Sequence, residues 1–312
     1  MAKPSTRLYV ILARKAPVAV IFRRGPSRHV LALSWNTETH EIRRGQWFKG
    51  RIYEHRCDLS PSGEKLIYFA AKHRAPLFTW TAVSRPPFLS ALAMWPKGDA
   101  WGGGGLFTNE RTIALNHRAS ERAVAEGFRL PKSIVVEPMK GRPGWGEDDP
   151  IWSERLARDG WILKQLAKGR ENKRGSKIWW EYSQPLIWTK AKGSLVLEMH
   201  VLGFHEIDGP SDVVEHRVLS SDGALALSLG RSDWADWSRS GELLFARDGR
   251  LFRSPVDRSG GLAEPIQVAD LRELRFEEVP ATSEARVWSG PTPKGPLIEE
   301  IGNSQSREDL QR

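Results

Sequence analysis

Apolar residues in this chain come in short runs broken by polar clusters that contain glycine or proline, the pattern of strands and turns rather than of long helices. Residues 8–12, 18–22 and 30–35 form three such runs. The breaker Arg23-Arg24-Gly25-Pro26-Ser27 separates the second from the third, and Asn36-Thr37-Glu38-Thr39 follows as a hairpin-sized loop. Together they predict an antiparallel meander. A turn of the form Ser-x-x-Gly then recurs. Ser60-Pro61-Ser62-Gly63 runs into Leu66-Ile67-Tyr68-Phe69, Ser220-Ser221-Asp222-Gly223 into Ala224-Leu225-Ala226-Leu227, and Ser238-Arg239-Ser240-Gly241 into Leu243-Leu244-Phe245. Trp95-Pro96-Lys97-Gly98 follows another apolar run, and Glu-His-Arg precedes the first two turns, at Glu54-His55-Arg56 and Glu215-His216-Arg217. A repeated strand-turn-strand unit predicts an internally repetitive all-β body. Gly63, Gly98, Gly223 and Gly241 read as its turn residues, and Asp58, Asp233 and Asp236 as carboxylates that accept hydrogen bonds from turn amides. Asp248-Gly249 supplies the positive φ that a tight hairpin needs.

Residues 232–253 combine an aromatic-Ser-x-x-Gly turn, an apolar strand, the Asp248-Gly249 hairpin and a second apolar strand. This unit resembles one blade of the TolB-like and WD-repeat β-propellers, and the resemblance extends to residues 52–75 and 213–230, without the Gly-His and Trp-Asp signatures of standard WD repeats. It implies a β-propeller-like array of short antiparallel strands in one domain, residues 1–288, acting as a rigid platform for binding. Two short helical insertions are expected on that scaffold. One is residues 116–126, capped by Asn116 or Ser120 and stopped by Gly127; the other is residues 150–159, with Asp149 as N-cap, Pro150 at the first helical position and Gly160 beyond the end. Residues 166–177 read as an exposed basic hairpin loop, and residues 289–312 as a flexible tail.

Composition narrows the chemistry. The chain has 312 residues, 40% of them hydrophobic, which is enough to bury a substantial core. Its single cysteine, Cys57, excludes an internal disulfide framework and a cysteine-rich zinc site. Cys57 is expected to be a buried, inert thiol, and the cytoplasm is the expected compartment. Arg14-Lys15 and Pro17 interrupt the apolar stretch near the N-terminus, so neither a signal peptide nor a transmembrane helix is expected. Of the net charge of +9, much lies early, because residues 1–56 carry 12 Lys/Arg against 3 Asp/Glu. Arg14, Lys15, Arg23, Arg24, Arg43 and Arg44 therefore form a candidate surface for nucleic acid or another polyanion, with solvated loop residues as the plainer reading.

Other chemical signals are weak. Gly102 to Gly105 are followed by no Gly-Lys-Ser/Thr and open a strand, so a closely approached backbone is expected there rather than a phosphate loop. No histidine pair has His-Glu-x-x-His spacing, and no Gly-x-Ser-x-Gly elbow occurs; neither a metal nor a cofactor is called for. Fourteen tryptophans suit packing between sheets, with Trp95 and Trp101 at turns as candidates for an aromatic binding mouth. The leading expectation is a non-enzymatic interaction scaffold whose partner is another protein. The alternatives are polyanion binding through the basic N-terminal region, and a hydrolase or lyase whose carboxylates and histidines converge from separate blades at a channel mouth.

Overall fold

The computed structural model describes residues 6–25, 29–207, 209–258 and 260–298. Among these, five sheets follow one another along the chain. The first is a meander of β1 (Arg7–Leu12), β2 (Val18–Arg24), β3 (His29–Asn36) and β4 (Ile42–Lys49). The second contains β5 (Arg51–Ile52), β6 (Asp58–Leu59), β7 (Leu66–Ala71), β8 (Thr79–Ser84) and β9 (Ala93–Pro96). The third has β10 (Gly105–Phe107), β11 (Thr112–Leu115) and β12 (Val135–Pro138). After α1 (Ile151–Arg158) comes the fourth, with β13 (Ile162–Gln165), β14 (Lys168–Glu171), β15 (Ile178–Lys192), β16 (Leu195–Glu206), β17 (Asp212–Ser220) and β18 (Leu225–Arg231). The fifth is β19 (Trp234–Trp237), β20 (Leu243–Arg247), β21 (Arg250–Ser254) and β22 (Ile266–Asp270).

The expected strands and turns of the first sheet are present, although Pro26 and Ser27 lie outside the described residues. The three Ser-x-x-Gly turns share one geometry. Gly63, Gly223 and Gly241 have positive φ, and their amides donate to the carbonyls of Ser60, Ser220 and Ser238 at 2.8, 2.9 and 3.1 Å. Asp248 and Gly249 form the two-residue hairpin between β20 and β21, at φ of 52° and 72°. The Glu-His-Arg tripeptide is not a structural repeat: residues 54–56 make a 3-10 turn, whereas Glu215-His216-Arg217 lies in β17. Gly98 also takes positive φ, but its turn ends β9 in the same sheet as the Ser60 turn rather than in the next unit.

Other expectations are corrected. One α-helix forms among the described residues; within 116–126 only Ala119–Glu121 coils, as a 3-10 turn, because His117 and Arg118 are engaged elsewhere. The second insertion forms, one residue later than expected: Pro150 rather than Asp149 is the N-cap and Ile151 the first helical residue, while the Asp149 carboxylate accepts from the Ser153 amide at 3.2 Å. The strands are neither all short nor all antiparallel, since β15 has 15 residues and β12 pairs parallel to β11. Residues 289–298, expected within the tail, are tied down. Arg85 donates to Gly290 O at 2.8 Å, Arg44 N to Pro296 O at 2.7 Å and Ile298 N to Ile42 O at 3.0 Å, so this segment covers the outer edge of β4. Residues 299–312 lie outside the described residues.

Every residue of β7 and β8 is buried, which accounts for runs such as Leu66-Ile67-Tyr68-Phe69 that do not alternate with polar residues. The two faces of a sheet pack on different neighbours. In the first sheet, Val20, Phe22 and Ala32 meet Leu59, Tyr68 and Ala82 of the second, while Leu8, Ile21 and Leu33 meet Trp234, Leu244 and Leu251 of the fifth. Trp95 and Val83 of the second pack on Phe107 and Ile113 of the third. Trp152 and Leu156 of α1 join Trp188 and Leu197 of the fourth to Trp237 and Phe245 of the fifth. Packing thus joins the first sheet to the second, the second to the third, the fourth to the fifth and the fifth to the first, while between the third and fourth it passes through α1, whose Ile151 meets Leu106 and Ala114. Complete burial of one large side chain such as Phe107 contributes about 1.5–3 kcal/mol.

Candidate ligand site where the sheets converge

The first strand of the second sheet is broken. β5 pairs with the C-terminal end of β7 and β6 with its N-terminal end, and the 3-10 turn Glu54–Arg56 bulges out between them. Arg56 is 2% exposed and anchors this bulge: Nε donates to Asp148 Oδ1 at 2.9 Å, and Nη1 donates to Ala100 O at 2.7 Å and Gly102 O at 2.8 Å. Its guanidinium also lies over the rings of Tyr53 and Phe69. The glycine run is therefore the closely approached backbone that was expected. Gly103 has φ +83°, and a Cβ there would lie 2.3 Å from the Phe69 ring. The amides of Gly102, Gly103 and Gly104 donate to Gly146 O, Asn116 O and Thr81 Oγ1, which leaves no cradle for a phosphate.

The same bulge carries His55 into the space between the sheets. Its ring stacks on Trp152 at 4.3 Å and 4°, and meets the edge of Tyr9 at 4.9 Å. Nδ1 lies 3.3 Å from Asp148 Oδ2 and 3.3 Å from Asp212 Oδ2. Burial opposes a charge on this imidazole, but Tyr9 and the two carboxylates outweigh it and hold His55 well above its ordinary value. Burial likewise opposes the Asp148 charge, and His55 and Arg56 overcome it and hold that carboxylate well below its usual range.

Two cavities meet here, of about 560 and 180 Å³, and Tyr9, His55, Val214 and Asp233 line both. The larger is walled by Trp152, Trp161 and Trp237 with Arg155, Lys190 and Asp236. Asp236 is buttressed by Lys190 Nζ at 2.6 Å, and burial raises its carboxyl despite that cation. Arg14, Lys192 and Arg239 sit at the accessible end of this chamber; among the described residues none of them pairs with a carboxylate within salt-bridge distance. Arg14 and Arg239 donate to the carbonyls of Phe107 and Arg14.

The three aspartates read as turn acceptors do accept from amides, but mostly across sheets. Asp58, wholly buried, takes the amide of Phe107 at 2.8 Å in the third sheet and a bidentate bond from Arg158 at 2.6 and 2.9 Å. Asp233, from the fifth, takes the amide of Leu8 at 3.1 Å in the first. Burial pushes the Asp233 carboxyl from 3.8 up to about 7. Asp236 takes its neighbour Trp237's amide at 2.7 Å.

The remaining sequence candidates do not form a site. Trp95 is completely buried between the second and third sheets, whereas Trp101 is 56% exposed. The four arginines are engaged. Arg23, 1% exposed, donates to the carbonyls of Gly25, Leu271 and Arg272, and burial lowers its guanidinium to about 10. Arg24 pairs with Glu54 at 3.5 Å, Arg43 with Glu41 at 2.5 Å and Arg44 with Glu277 at 2.5 Å. Arg43 and Arg44 lie in β4, not in a loop. Cys57 is buried as expected, and burial pushes its thiol far up. Asp148, Asp212 and Tyr9 carried no motif; they reach His55 from different elements, through the packing of the sheets. No known protein family, curated protein or solved structure matches this chain. No helix among the described residues is long and apolar enough to cross a membrane.

Proposed function

We propose that the chain is a β-propeller-like binding protein whose ligand occupies the larger chamber, and that this ligand is a small anion with a flat or apolar body. The observation that carries the proposal is the chamber itself. It lies where the first, fourth and fifth sheets meet α1, with tryptophans along its wall and Arg14, Lys192 and Arg239 at its accessible end without carboxylate partners. A concave, largely apolar cleft with a few convergent charged groups is the usual form of a small-molecule site. Successive sheets that pack on their neighbours, through α1 between the third and fourth, and the contact of the fifth with the first support the propeller-like reading. Binding of another protein through a paired Trp95 and Trp101 mouth loses its basis, because Trp95 is buried.

The test is calorimetric titration of the full chain with aromatic carboxylates and, in parallel, their uncharged amides. The carboxylates are expected to bind and the amides not. Lys192→Glu with Arg239→Glu should weaken binding by roughly tenfold or more, about 1.4 kcal/mol, and salt should weaken it further. Equal binding of acid and amide, or indifference to the double charge reversal, would sink the proposal. The hydrolase or lyase reading draws support from Asp233: a carboxyl held at about 7 on the wall shared by both cavities suits proton transfer near neutrality.

A further inference from the structure

We infer that His55, Asp148 and Asp212 form a binding site for one divalent metal ion of the zinc class. They come from three places in the fold: the 3-10 turn that breaks the second sheet, the loop before α1, and the first residue of β17 in the fourth sheet. His55 Nδ1, Asp148 Oδ2 and Asp212 Oδ2 all lie within 4.8 Å of one another. Nδ1 stands 3.3 Å from each oxygen. Ligand atoms around a tetrahedral ion, bound at roughly 2.0–2.1 Å, stand about 3.3–3.4 Å apart, so the two Nδ1–oxygen spacings match the coordination sphere.

The surroundings are those of a held ligand set. Arg56 binds Asp148 through Oδ1 and leaves Oδ2 for the site, while the Trp152 stack fixes the plane of the imidazole. Asp212 Oδ2 is buried, and no donor is aligned on it for a hydrogen bond. One imidazole nitrogen faces two carboxylate oxygens, and a single proton on Nδ1 cannot be aligned on both, whereas a cation between the three atoms meets all of them. All three residues line the smaller cavity of about 180 Å³, which has room for water or a ligand oxygen at a fourth position. One imidazole, two carboxylates and an open position suit Zn²⁺, or Mn²⁺ as the harder alternative, and not a thiolate-seeking ion. The metal takes the place of the proton on Nδ1, so the two compete. This site does not depend on the anion proposed for the larger chamber.

The experiment is titration of the chelator-treated full chain with Zn²⁺ and, separately, Mn²⁺ by calorimetry, with Co²⁺ absorption as a report on geometry. One equivalent should bind, Co²⁺ should give the intense ligand-field bands of a tetrahedral site, and Zn²⁺ should raise the thermal midpoint reversibly with chelator. Asp212→Asn and His55→Gln should each lower the affinity at least tenfold, while His205→Gln leaves it unchanged. Circular dichroism checks that each variant is folded. Should either site variant fail to fold, the wild-type stoichiometry and cobalt spectrum still decide. Absence of one-equivalent binding, or affinity retained in both Asp212→Asn and His55→Gln, overturns the inference.

Discussion

Single carboxylates hold neighbouring sheets together in this protein. Asp58 reaches from the second sheet to the Phe107 amide of the third, and Asp233 from the fifth to the Leu8 amide of the first. The two differ in their second partner, because Asp58 has the Arg158 fork whereas no cation within salt-bridge distance faces Asp233 among the described residues. In the folded state Asp233 accordingly keeps its proton up to about pH 7. A carboxyl raised by folding contributes stability in full below its ordinary value, and loses it as pH rises from 3.8 through about 7. Asp233→Asn keeps an acceptor for the Leu8 amide and removes the buried charge. It is expected to be close to neutral at pH 4 and stabilising at pH 8, as read from urea midpoints at the two pH values. An equal effect at both would show that the carboxylate is well solvated. The role of these aspartates as amide acceptors was legible in their position beside turns. The identity of the amide was not, since it belongs to a strand distant in sequence.

At the scale of elements, the glycine run 102–105 lets one loop pass tightly between the 3-10 turn, Phe69 and the loop around Gly144. Gly98 and Gly103 share a positive φ, of 86° and 83°, yet a Cβ at Gly98 meets nothing within 4 Å. Gly98→Ala should therefore carry only the backbone cost, about 1–3 kcal/mol. Gly103→Ala adds a collision with Phe69 worth roughly another 1–3 kcal/mol. Urea denaturation of the two variants measures the difference, and equal losses would contradict the packing described. The elements themselves were largely readable: alternating apolar runs and Gly, Asn or Asp turns act within a few residues, which is why the hairpins of the first and fifth sheets agree with expectation. The helix at 116–126 failed because a cap and a stop signal do not outweigh long-range bonds, such as the His117 Nε2 contact with Thr81 Oγ1 at 2.8 Å.

In the whole molecule, residues 284–298 run back over the first and second sheets, where Arg85 takes the carbonyls of Glu284 and Gly290 and the edge of β4 pairs with Pro296 and Ile298. A chain ending at residue 288 would leave that edge with unpaired amides and carbonyls. It is expected to self-associate and to unfold at lower temperature, checked by light scattering and calorimetry against the full chain; unchanged scattering and an unchanged thermal midpoint would show that this segment has no such role. The charge pattern had pointed to a basic N-terminal surface, but charge counted along the chain ignores what folding brings opposite. Glu54, Glu277 and the carbonyls of Leu271 and Arg272 neutralise or bind those arginines. Local rules, namely strand patterning, turn chemistry and burial of Cys57, are written in neighbouring residues, and so the sequence by itself determined an all-β chain with repeated Ser-x-x-Gly hairpins. The candidate site joins His55 to Tyr9, Asp148, Trp152, Asp212 and Asp233, and only the tertiary structure decided it, because their proximity arises from sheet packing rather than from any spacing along the chain.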